Sequence, residues 1–164
     1  MSSGKTFTEG RAREIVFERA GFQCEVRIPG VCVGGVTYHH RKLRGQCPKP
    51  DLWRPSNALA ACGSGTTGCH GWITGHPARA YELGWAQLRT NEDPAKKKAW
   101  IWSNNYLGFG WFLLDDRGDL TRLWDVAEPT GVAVGGVLMR NTVGGARYRL
   151  VDGTPTDQRE ARAS

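Results

Sequence analysis

An α+β fold is predicted by three observations: an amphipathic stretch opens the chain, two runs of β-formers flank a proline-rich basic loop, and two local cysteine pairs bracket those runs. Within 8–20, Ile15, Val16, Phe17 and Ala20 fall at helical spacing among Arg and Glu, and Gly21 supplies the stop. Pro29-Gly30 marks a turn between Cys24 and Cys32. A Gly34-Gly35 turn then leads into Val36-Thr37-Tyr38-His39-His40, read as a short strand ending at the paired histidines. Gly45, Pro48, Pro50 and Pro55 make 45–56 a loop closed by Ser56-Asn57. Ala58-Leu59-Ala60-Ala61 reads as a second strand running into Cys62. After the glycine-rich loop 63–68, Cys69 to Thr74 reads as a short helix that Thr66 or Thr67 could cap. Pro77 suits the first position of a further helix, to Leu83, stopped by Gly84.

The remainder is read more coarsely. Lys96-Lys97-Lys98 beside Trp100 and Trp102 suits a solvated lysine run next to core aromatics. Trp111 to Leu114 and Leu120 to Trp124 flank Asp116-Arg117-Gly118-Asp119, a turn sequence, and so predict a hairpin. Two more strands are expected at Val132 to Met139 and Ala146 to Val151. The division that follows is an arm at 1–9, a domain at 10–94, a β-rich C-terminal extension at 95–151 and a disordered tail at 152–164.

Composition removes several classes. The 164 residues include 7 Trp, 5 Phe and 4 Tyr, enough for a real core, so wholly disordered and collagen-like readings fail. No window approaches the roughly 18 apolar residues of a membrane span, and the first residues lack the apolar core of a signal peptide. A cytoplasmic location is the expectation. In that reducing compartment Cys24, Cys32, Cys62 and Cys69 point to a metal rather than to disulfides. Four thiolates suit tetrahedral zinc, although the spacings are looser than usual and buried apolar cysteines remain the alternative. Cys47 stands apart as a free thiol.

The net charge of +6 is uneven: residues 1–60 carry 10 basic and 5 acidic side chains. The densest part is His39-His40-Arg41-Lys42-Leu43-Arg44-Gly45. Arg41, Lys42 and Arg44 are therefore candidate contacts to the phosphates of DNA, with a solvated basic loop as the plain alternative.

Taken together, Cys24-x7-Cys32, His39-His40-Arg41 with its basic loop, Ser56-Asn57, and Cys62-Gly63-Ser64-Gly65-Thr66-Thr67-Gly68-Cys69-His70-Gly71-Trp72 resemble the HNH endonuclease family, in particular the small zinc-containing members of tailed bacteriophages. The resemblance covers residues 10–90. It implies a ββα-metal nuclease core with a structural four-cysteine zinc site, hydrolysis of DNA phosphodiester bonds, and a part in phage DNA processing or packaging, where a terminase would be a partner. Carried over residue by residue, it implies His40 as general base, His39 and His70 as ligands of a catalytic magnesium, manganese or other divalent ion, and Asn57 as the amide that pins the loop holding His40.

The chemistry explains why such residues belong together. An imidazole with a pKa of ~6.5 can take a proton from water at neutral pH, and a divalent ion stabilises charge gathering on the phosphate. Adjacent residues on a regular strand face opposite ways, so His39 and His40 can share one site only where the strand ends or twists; the loop starting at Arg41 would permit this. Two departures matter: Cys47 has no counterpart in the family pattern, and a turn after His70 stands Thr74, not a second histidine, while His76 precedes Pro77, where it is expected to cap the next helix. The ion would then keep water and substrate as its other ligands, which magnesium tolerates. Two further readings stay open, a zinc-stabilised module that binds DNA without cutting it and a thiol redox or metal-sensing protein; the absence of C-x-x-C disfavours the latter.

Overall fold

The computed structural model of the protein describes residues 6–89 and 92–129, together with the backbone of four short strands at Val132–Val134, Val137–Met139, Tyr148–Val151 and Thr154–Asp157. The fold mixes helix and sheet. Its first helix, α1 (Glu9–Arg19), starts where Thr8 Oγ1 accepts the Arg11 N–H at 3.3 Å. It ends in αR at Ala20, just before Gly21 enters the left-handed region. Its inner face buries Ala12, Ile15 and Val16. The outer face pairs Glu9 with Arg13 and Arg11 with Glu14, one turn apart.

Strands β1 (Val36–His40) and β2 (Ala58–Cys62) form an antiparallel hairpin with His39 opposite Leu59 and His40 opposite Ala58. Every residue of β2 is buried because α1 covers one side of the hairpin and α3 (Gly68–Gly75) the other. The connection departs from the expected irregular loop. It carries a one-turn helix, α2 (Lys49–Leu52), and a 3₁₀ turn at Pro55–Asn57. Prolines 48, 50 and 55 sit at or before the first positions of these turns, where a missing N–H and a fixed φ cost nothing. Thr67 precedes α3 but does not cap it by its side chain; its hydroxyl lies 2.9 Å from the Ser64 hydroxyl. Helix α4 (Pro77–Glu82) begins at Pro77 as expected, and Gly84, at φ +69, follows it. A Cβ there would lie 2.0 Å from the Lys98 carbonyl, so only glycine lets the C-terminal sheet approach this closely.

That sheet has three antiparallel strands, β3 (Ala99–Ser103), β4 (Gly108–Leu114) and β5 (Leu120–Leu123), in order. The expected hairpin is β4–β5; β3 was not anticipated. Ala99, Trp100, Ile101, Trp111, Phe112 and Leu114 share one core with Cys24, Leu59, Cys62, Cys69 and Trp85, so residues 99–114 pack as part of the same body as the cysteine segments. Beyond residue 131 the backbone forms two further hairpins, β6 (Val132–Val134) with β7 (Val137–Met139) and β8 (Tyr148–Val151) with β9 (Thr154–Asp157). Strand β9 falls in the stretch expected to be disordered; 158–164 and the turn expected around residues 141–145 lie outside the described residues.

Glu25 joins these parts. Its backbone N–H donates to the Ala60 carbonyl and its carbonyl accepts from Trp102 N–H, both at 2.8 Å. Its carboxylate accepts the Ala60 N–H at 2.8 Å and two N–H groups of Arg19, whose guanidinium also reaches the carbonyls of Pro55 and Ala58. Both side chains are buried. The charges are tolerated because each is satisfied by the other and by backbone groups. Among the described residues no helix is long and apolar enough to cross a membrane.

Candidate active site and metal centre

The four cysteines come from three places: Cys24 and Cys32 from the segment after α1, Cys62 from the end of β2, and Cys69 from the first turn of α3. Their Sγ atoms lie within 4.8 Å of one another, a cluster that could hold a metal ion. A tetrahedral zinc with bonds of about 2.3 Å needs sulfurs roughly 3.8 Å apart, which this spacing accommodates. Backbone donors favour the thiolate forms. Arg27 and Cys62 N–H groups point at Cys24 Sγ (both 3.4 Å), those of Val33 and Cys69 at Cys62 Sγ (3.3 and 3.4 Å), and that of Ile28 at Cys69 Sγ (3.3 Å). The hydrogen bond from Cys69 and these N–H groups pull Cys24 down to about 5 against the effect of burial, while Cys69, as the donor, is pushed up. The loop between Cys62 and Cys69 requires glycine: a Cβ on Gly63 would stand 2.2 Å from the Thr67 carbonyl. Cys47 lies outside the cluster, its sulfur accepting from Asn57 Nδ2 at 3.4 Å.

The histidines divide between the two faces of the hairpin. The pairing of β1 continues through His40, so the chain does not twist before it and the two adjacent rings diverge. This corrects the expectation that His39, His40 and His70 crowd one centre. His39 faces α3, its ring centroid 4.9 Å from that of His70. His40 faces α1, its ring 4.9 Å from those of both Tyr38 and Trp53, and its Nε2 is buried without a hydrogen-bond partner.

Hydrogen bonds fix the protonated nitrogen in two of the rings. His39 Nε2 lies 2.7 Å from the Trp85 carbonyl. A carbonyl only accepts, and burial lowers His39 to about 3, so the ring is neutral at pH 7 with its proton on Nε2 and a lone pair on Nδ1. Thr37 Oγ1 donates to the Ala61 carbonyl at 3.1 Å and therefore accepts from His70 Nδ1 at 3.0 Å, which leaves the lone pair of His70 on Nε2. Burial lowers His70 as well. Imidazoles whose second nitrogen donates to a carbonyl or hydroxyl are prepared as metal ligands. Burial first, then the charges of Arg44 and Arg13, lower His40 to about 4.

Asn57 is buried and acts on the chain just past His40 rather than on its ring. Its Oδ1 accepts the Lys42 N–H at 2.9 Å, its Nδ2 donates to the Asp51 carbonyl at 3.1 Å, and its own carbonyl accepts the Arg41 N–H at 2.8 Å. Of the three basic residues expected to meet DNA, only Arg44 is exposed. Arg41 and Lys42 require correction, because both are buried. The Arg41 guanidinium donates to five carbonyls, those of Gly84, Ser56, Pro94, Lys97 and Lys98. Lys42 Nζ binds Asp51 and the Glu92 carbonyl, both at 2.8 Å. Charge alone in a sequence cannot tell a phosphate contact from a cation enclosed by carbonyls. His76 does not cap α4 by its side chain: its ring stacks on Trp72 at 4.1 Å, with Nδ1 2.9 Å from the Trp72 carbonyl.

Three contributors escaped the sequence reading. Trp85 acts through its carbonyl, which no residue type advertises. Thr37 carried a usable signal, since it stands two residues before His39 on the same face of β1. Arg13 comes from α1 to lie over the Tyr38 ring, 5.6 Å from its centroid. The chain matches no family model, no curated protein and no solved structure.

Proposed function

We propose that the protein is a metal-dependent endonuclease of the HNH type acting on DNA, with the four-cysteine cluster as a structural zinc site. The observation that carries this reading is the pairing of His39 with His70, two neutral imidazoles from β1 and α3 with rings 4.9 Å apart and their second nitrogens engaged by Trp85 and Thr37. Each ring gives its one N–H to the protein and keeps its other nitrogen as an acceptor, the form in which imidazole ligates a metal. Cys69, one residue before His70, ties the structural cluster to this pair, so zinc binding would set where the His70 ring stands. A divalent ion held there would supply Lewis-acid stabilisation of the phosphate and leaving oxygen.

In this reading the substrate phosphate lies across the open end of the hairpin, where β1 stops at His40. His40, neutral at pH 7, takes the proton of the attacking water. Asn57 keeps the chain after His40 in register by holding the Lys42 and Arg41 amides. The position of His40 on the opposite face from His39 favours a second reading, a zinc-stabilised DNA-binding module that does not cut. A plasmid-nicking assay with magnesium or manganese decides between them. His40→Ala should lose about 10² to 10⁴ in rate while retaining zinc and DNA affinity. Binding without nicking by the parent protein in either metal would leave the second reading. A phage origin and a role beside a packaging terminase belong to the same proposal and rest on the sequence resemblance alone.

A further inference from the structure

Three rings form a cluster on the α1 side of the hairpin: Tyr38, His40 and Trp53, with centroids 4.9 to 5.6 Å apart. Two guanidinium groups flank it. Arg13, from α1, lies 5.6 Å from the Tyr38 ring centroid, and Arg44, from the basic loop, 5.4 Å from that of Trp53. These are the two cations whose charge bears most strongly on His40. We infer that Arg13 and Arg44, with His40 between them, form a seat for a backbone phosphate of nucleic acid on the α1 face of the hairpin.

Several features support this assignment. An aromatic face holds a guanidinium in place without neutralising it, so its N–H groups stay available to an anion. Arg44 is exposed and makes no ion pair among the described residues. Arg13 gives Nε and one Nη to a single oxygen of Glu9, both at 2.9 Å, which leaves its other Nη without a hydrogen bond among the described residues. The charges that bear on His40 are thus two arginines against the carboxylate of Glu9, while Arg19 and Asp116, of opposite sign, act on the Tyr38 side of the cluster. A nucleic-acid phosphate suits the setting better than a free anion because the two arginines lie on separate surface elements, α1 and the loop, which a strand passing over the hairpin would bridge.

The inference rests on the proposed function for its choice of DNA but is tested without cleavage. Duplex DNA affinity of the zinc-loaded protein would be measured without magnesium or manganese over a range of salt concentrations. Arg13→Gln and Arg44→Gln should each weaken binding about fivefold at about 50 mM salt and reduce the slope of log affinity against log salt by about 0.9. Arg11→Gln, removing an exposed charge from the same helix, should change neither. Arg13→Lys, which keeps the charge, should restore most of the slope. Parent affinity and slope in both Gln variants would overturn the seat, as would arginine-dependent binding of inorganic phosphate without arginine-dependent binding of the duplex. Arginine-dependent binding by a protein that never nicks would preserve the seat and refute the nuclease, whereas nicking at equal KM by parent and both variants would preserve the nuclease and refute the seat.

Discussion

The Thr37 hydroxyl stands between the Ala61 carbonyl, to which it donates, and Nδ1 of His70, from which it accepts. One side chain on β1 thus decides which nitrogen of a helix residue carries the proton. Thr37→Val, similar in shape but without the hydroxyl, should raise the magnesium or manganese concentration needed for half-maximal nicking about tenfold or more, while Thr37→Ser should stay near the parent. Equal metal dependence in all three proteins would separate Thr37 from the site.

The cysteine cluster predicts a different pattern. Cys24→Ser or Cys69→Ser should lower both zinc stoichiometry and melting temperature, because the cluster ties the segment after α1 to β2 and α3. His39→Ala should leave zinc content unchanged. Zinc analysis of the purified variants beside thermal melts checks this, and full zinc content with an unchanged melt in the serine variants would remove the four-thiolate site.

Arg41 should behave as a structural residue. Burial lowers it to about 9, so it remains charged at neutral pH with its carbonyl partners around it. Arg41→Gln would leave several buried carbonyls without a donor and should cost about 3 kcal/mol or more in urea unfolding. The salt dependence of DNA binding by the folded fraction should be unchanged, in contrast to that of Arg44→Gln.

His39 gives a pH dependence whose sign follows from its lowered pKa. The unfolded chain takes up the histidine proton near pH 6.5, whereas the folded protein holds off until about 3. Between these values the unfolded state binds more protons, so the contribution of His39 is complete above about pH 6.5 and is lost as the pH falls toward 3. Urea unfolding at a series of pH values should therefore show the parent losing stability more steeply than His39→Asn below about pH 6.5. Parallel pH profiles would mean that the His39 ring is not held neutral by burial.

The sequence disclosed those elements whose physics is local. Val36 to His40 and Ala58 to Cys62 are short runs of β-formers or small apolar residues between glycines and prolines, and both appear as expected. Strand β3 was hidden because Trp100 and Trp102 follow a lysine run, and because Ala99 and Ile101 on one face and Trp100 on the other are all buried, so no alternation of polar and apolar residues announces it. Helix α2 was hidden by Pro48 and Pro50, which read as breakers until seen to stand at its start. The cysteine cluster was legible from residue type. The burial of Arg41 and Lys42 was not, since it depends on carbonyls from four distant segments, and neither was the split of His39 and His40, which follows from where strand pairing stops.

The three-way joint at Glu25 also bears on the order in which a nascent chain can fold. Helix α1 and the first cysteine are made before β2 and β3, so Glu25 has Arg19 at hand but finds its remaining hydrogen-bond partners only once Ala60 and then Trp102 have been made. Until then the Arg19–Glu25 pair has no enclosure, and Cys24 beside it has no fixed position relative to Cys62 and Cys69. Such long-range dependence slows folding, because loop closure must precede the contacts that reward it. Closure of the cysteine cluster is accordingly expected only after β3 has been made, with the C-terminal sheet rather than the N-terminal helix setting its moment.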